Sequence, residues 1–185
     1  MRNLKNKRHD DTDHSIKALV PYQPGLADRV LETNKAEICR TAAELLELID
    51  YTPGKIYRGI VMEAPQTAII PHKNFKYLSF TEDLSIASHF ADPINGFGQG
   101  IIDIKTQLGE YGYIIEHTPA VDDVLFHWKF LNILPYKQAF NAMGLDGDAE
   151  MKGLLKQKEI TILQPSFSFT NIINFKQKTN ETTTA

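Results

Sequence analysis

The apolar residues of this chain change their period once, at Thr52-Pro53-Gly54, and that change limits the folds open to it. Before it, Ile38, Ala42, Leu45 and Ile49 recur at intervals of 4, 3 and 4, which stacks them on one helix face. Asn34, followed three residues later by Glu37, gives a start signal for a helix within 26–50. Thr52-Pro53-Gly54 stops it. After that point the apolar runs become short and β-branched or aromatic, with turn residues between them. They are KIYRGIV (55–61), KYLSFT (76–81), GIIDIK (100–105), YGYII (111–115), KEITIL (158–163) and SFTNIINF (168–175). Two helical interruptions are predicted. One runs from Asp83 to Ala91, with Thr81 as its cap. The other carries Val121, Val124, Trp128 and Leu131 at intervals of 3, 4 and 3, until Pro135 ends it. The expectation is an α+β fold, helices first and then a strand-rich body.

A chain of 185 residues, 42% hydrophobic, suffices for one domain with a proper core. We expect that domain over 18–176, a polar arm over 1–17 and a frayed tail over 177–185. The net charge of −3 supplies no global field toward nucleic acid or anionic membranes. The basic spot formed by Arg2, Lys5, Lys7 and Arg8 is followed by an acidic, polar stretch where a signal peptide needs an apolar one. The lone cysteine, Cys39, rules out a disulfide within the chain. A cytoplasmic protein is expected, and a toxin delivered into a target cell's cytosol would look the same. No apolar run is long enough to span a membrane.

Four pieces of sequence carry chemistry. Tyr57-Arg58-Gly59 sets an arginine within an apolar strand, where a guanidinium needs an anionic partner and its planar fork suits a diphosphate. Tyr77-Leu78-Ser79-Phe80-Thr81 aligns Tyr77, Ser79 and Thr81 on one strand face; two hydroxyls there can orient a carboxylate. The loop 92–100 surrounds Phe97 with glycines and could bring backbone N–H groups and a ring against a flat ligand. It precedes a strand, so it is not a dinucleotide fingerprint of the Rossmann type. Gln157-Lys158-Glu159 leads into an apolar run, and a strand there would place Gln157 and Glu159 on one side, about 7 Å apart. Each piece alone has an ordinary structural explanation: an ion-paired arginine, a helix cap, a loop, a solvated glutamate. The six histidines show no ligand spacing, and no metal is expected.

In this order the four pieces resemble the arginine–serine–glutamate branch of the ADP-ribosyltransferases, which includes cholera-like, iota-like and Rho-modifying bacterial toxins. The likeness covers residues 55–165. It departs from the family at Phe80, where threonine is usual, and in a longer stretch between Tyr113 and Gln157. The resemblance implies a split two-sheet core with N-terminal helices and NAD as co-substrate. It implies that Arg58 holds the diphosphate and that Gly59 offers its backbone to the nicotinamide amide. Tyr77, Ser79, Thr81 and Phe97 would complete the NAD site, with Ser79 orienting Glu159. Glu159 would face the ribose cation, and Gln157 would position the acceptor. The acceptor implied is a macromolecule, a protein side chain before a nucleic-acid base. An antitoxin or immunity protein would be a natural partner. NAD glycohydrolysis and a catalytically inactive binding module are the alternative expectations.

Overall fold

The computed structural model describes residues 26–70, 77–94, 109–134, 136–138, 147–163 and 169–177. Helix α1 spans Leu26–Leu48, close to the expected limits. Beyond it Asp50 takes a left-handed φ of 50°. Its N–H donates to the Glu47 carbonyl at 3.2 Å, and the Tyr51 N–H donates to that of Leu46 at 3.0 Å. This is a Schellman ending, which satisfies two carbonyls the helix would otherwise leave open. Strands β1 (Ile56–Met62), β2 (Tyr77–Thr81) and β3 (Tyr111–His117) follow the expected runs. Helix α2 (Leu84–Ala91) lies between β2 and β3 in sequence.

The helix expected around Trp128 is not formed. Val121–Asp123 is a 3-10 turn, Val124–His127 is strand β4, and Trp128–Asn132 is a second 3-10 turn. The 3-4-3 spacing there was coincidental. All four residues of β4 are buried, and a short apolar run buried on both faces reads equally well as helix or strand. A helix not anticipated, α3 (Gly147–Gln157), precedes β5 (Glu159–Leu163). The last strand, β6, covers Ile172–Gln177, and Phe169 forms an isolated bridge with Ile69. The expected strand at 100–105, the arm 1–17, residues 178–185 and Phe97 with most of its loop lie outside the described residues.

The fold is α+β. Its described strands form one sheet in the order β4-β5-β2-β1-β3-β6. The two-sheet division expected from the resemblance is not the hydrogen-bonding pattern of these strands. The β1–β2, β1–β3, β3–β6 and β4–β5 pairs are antiparallel. By contacts the chain resolves into two compact units, and β2 has residues in each: up to Ser79 in the first, from Phe80 in the second.

In the first unit, α1 packs on β4 and the 3-10 turn before it, burying Ile38, Ala42 and Leu45 as the periodicity requires. Leu154 of α3 is buried as well. In the second, α2 packs on β1 and β3, joining Ala87, Ala91 and Ile114 with Tyr57 against them. Asp83, not Thr81, caps α2: its carboxylate accepts from the Ser85 N–H at 3.0 Å. The Thr81 hydroxyl instead accepts from the Asp83 N–H at 3.0 Å and shapes the turn before the cap. On the β3 side, Glu116 bonds Lys55 Nζ at 3.0 Å and Asn171 Nδ2 at 3.1 Å. These two donors hold the Glu116 carboxyl below its ordinary pKa.

Candidate functional site

The first unit contains a buried carboxylate. Glu159 opens β5 and is 3% exposed, as is Thr161 two residues later. Ile160 and Ile162 are buried on the other face, so β5 has one apolar and one polar face, both covered. Burying a carboxylate without hydrogen bonds costs several kcal/mol, which makes the Glu159 surroundings the informative feature. The Thr161 hydroxyl donates to Glu159 Oε1 at 3.4 Å. Thr161 is paired across the strands with Phe126, whose ring lies 5.9 Å from Phe130 and 6.1 Å from Tyr136. Burial, and then the negative charge of Glu159, push the Tyr136 phenol well above its usual pKa. Phe126, Phe130 and Tyr136 thus form an aromatic wall against Thr161 of β5, and the Glu159 charge acts on its Tyr136 member.

On the opposite side, His127 pairs with Ile160 and is fully buried. Its Nδ1 accepts from the Lys129 N–H at 3.1 Å, which leaves its proton on Nε2. The ring of Tyr51 meets it edge-on at 5.2 Å.

Gln157 does not share a strand face with Glu159. It is the last residue of α3, and Lys158 turns the chain with a left-handed φ of 47°. The Lys158 N–H donates to the Leu155 carbonyl at 3.2 Å, closing the helix. The expected 7 Å offset along one strand therefore does not apply, because period-2 alternation begins only at Glu159. Tyr77 and Ser79 of β2 are half-buried, whereas Leu78 and Phe80 are buried. The alternation in burial runs from Tyr77 to Phe80 and ends at Thr81, which is buried.

In the second unit, Arg58 is half-buried on β1. The register pairs Arg58 with Ile115, Gly59 with Ile114 and Tyr57 with Thr81. Tyr57, Gly59 and Thr81 thus lie on the side that α2 covers, and Arg58 emerges on the other. On the Arg58 side Phe80, His117 and Phe169 form an aromatic group with centroids 5.4 to 6.1 Å apart. Thr81 and Arg58 do not share a face, and Thr81 belongs to the turn before α2. The lack of a side chain at Gly59 has a packing cause. A Cβ there would lie 1.9 Å from the Ala87 carbonyl oxygen and 2.6 Å from the Ala91 nitrogen.

Two residues escaped the sequence reading. Thr161 could have been found, since it lies two positions after Glu159 in a run that alternates as a strand. Tyr136 carried no signal, because only the folded chain brings it to β5. Among the described residues no group of three or more His, Cys, Asp or Glu could hold a metal ion. No helix among them is long and apolar enough to cross a membrane. The chain matches no family model, no curated protein and no solved structure.

Proposed function

We propose that this protein is an NAD-dependent mono-ADP-ribosyltransferase of the arginine–serine–glutamate class, acting through Glu159. The reading implies the fold of that class and a macromolecular acceptor, protein before nucleic acid. The observation that carries it is the buried Glu159 carboxylate at the start of β5, beside Thr161. A glutamate there for solubility would face water.

Cleavage of the bond between nicotinamide and ribose develops positive charge on the ribose ring, as in glycoside hydrolysis. A fixed carboxylate in a poorly solvated site stabilises that charge more than it stabilises neutral ground-state ribose. Glu159 supplies it. Arg58, on the face of β1 away from α2, holds the diphosphate with its planar fork. Ser79 and Tyr77, which by alternation share the Thr81 face of β2, are assigned to the NAD site by the resemblance alone. Thr81 is assigned to the turn, and Gly59 to packing under α2. The place of Gln157 at the end of α3 favours a second reading within the same chemistry, in which water captures the cation and the protein is an NAD glycohydrolase.

Labelled NAD incubated with the protein and a cell lysate tests both. Label fixed to macromolecules and removed by protease or by nuclease identifies a transferase and its acceptor class; free ADP-ribose alone identifies a hydrolase. Glu159→Gln should lower NAD turnover by about 10²-fold or more. Turnover within a few fold of wild type, or no consumption by the wild-type protein, would overturn the reading.

A further inference from the structure

We propose that Thr161 is a positioning residue for Glu159, fixing the carboxylate in the orientation its chemistry requires. This rests on the reading of Glu159 as the group facing the ribose cation. The two side chains are neighbours on one face of β5 by the period-2 rule, and the hydroxyl donates to Oε1 at 3.4 Å. Among the described residues, nothing about packing calls for a hydroxyl at this point. The other face of β5 is filled by Ile160 and Ile162, and the residue across from Thr161 is Phe126. Valine would fill the same volume against that ring. A hydroxyl buried to 3% exposure costs stability unless matched by a partner, and the carboxylate is the partner shown. The hydrogen bond ties Oε1 to the same strand that carries Glu159. A rigid anion costs no reorganisation when the cation forms.

The test uses the full chain as wild type, Thr161→Val, Thr161→Ser and Glu159→Gln. The readouts are NAD turnover, NAD affinity by direct titration, and the carboxyl ¹³C resonance of Glu159 at one fixed pH, assigned through its loss in Glu159→Gln. Losing a hydrogen bond to a charged group should cost Thr161→Val about 10-fold or more in kcat, with NAD affinity within about twofold. Thr161→Ser should stay within about threefold of wild type, because the donor is retained. The resonance should move in the valine variant and stay in the serine variant. Wild-type kcat in Thr161→Val, or equal losses in both variants with an unmoved resonance, would overturn the proposal. If wild type and Glu159→Gln are equally inert toward NAD, the enzymatic reading fails. The resonance then still decides whether Thr161 holds the carboxylate.

Discussion

Gly59 on β1 and Ala87 on α2 meet backbone to backbone, with only 1.9 Å between the position a Gly59 Cβ would take and the Ala87 carbonyl oxygen. Neither partner is a flexible side chain that can swing aside. Gly59→Ala should therefore lower unfolding stability by about 3 kcal/mol, near the upper range for overpacking. Urea titration of the two proteins measures it. A variant as stable as wild type would mean that α2 can slide on β1, and the requirement for glycine would have to lie elsewhere.

The end of α3 predicts the opposite sign. Lys158 holds a left-handed φ of 47°, a region costing about 1 kcal/mol or more for residues with a Cβ. Glycine avoids that cost but adds freedom to the unfolded chain. Lys158→Gly should therefore be neutral to stabilising by about 0.5 kcal/mol. Lys158→Val should destabilise by more than about 1 kcal/mol, since a β-branched side chain is the least suited to that region. Thermal melts of the pair give the order directly.

Helix α2 offers a test of which residue caps it. Asp83→Ala should cost about 1 kcal/mol, the usual value for a lost cap. Thr81→Ala removes only the bond to the Asp83 N–H and should cost about 0.5 to 1 kcal/mol. On the proposed NAD reading, neither change should alter NAD affinity in the folded protein. A clear loss of affinity in Thr81→Ala would return that hydroxyl to the NAD site.

The Lys55–Glu116–Asn171 group gives a pH dependence with a definite sign. The folded pKa of Glu116 is lowered, first by Lys55 and also by Asn171. Its contribution is present above the unfolded value of 4.5 and lost as pH falls through the folded one. The Lys55 pKa is raised, chiefly by Glu116. That contribution is present below the unfolded value of 10.5 and lost as pH rises through the folded one. Stability measured against pH should show a flatter acid limb in Glu116→Gln. Salt at about 1 M should shrink the difference, because the group lies at the surface. An acid limb unchanged by the substitution would show the group to be energetically silent.

Legibility in the sequence followed the length of the apolar pattern. Helix α1 was readable because Ile38, Ala42 and Leu45 repeat over several turns, and all three are buried. Strands β1, β2, β3 and β5 were readable because their runs are β-branched and bounded by turns. Near Trp128 the same logic failed. Val124, Leu125 and Phe126 are apolar on both faces, and a run so short satisfies either period. Helix α3 was missed because its apolar content, Met151, Leu154 and Leu155, amounts to one turn beside Gly147 and Gly153. Among the site residues, Glu159 could be named but not its burial, which depends on Phe126 and Tyr136 arriving from distant positions. The error over Gln157 came from a single residue. Lys158 takes a conformation that side chains other than glycine seldom adopt, so strand alternation was extended two residues too far.

Four consecutive residues of β5, from Glu159 to Ile162, are buried. Groups that do chemistry more often sit on loops, where neighbours can vary without disturbing the scaffold. Here the carboxylate proposed for the NAD chemistry belongs to a buried strand, and its neighbours along that strand are core residues. Mutational drift along this strand is therefore doubly constrained: a volume change at Ile160 or Ile162 loosens the first unit and displaces Glu159 together. In a library of variants, the proposed NAD turnover should rise and fall with stability at positions 160 and 162. At exposed positions such as Lys152 and Lys156 of α3, they should separate.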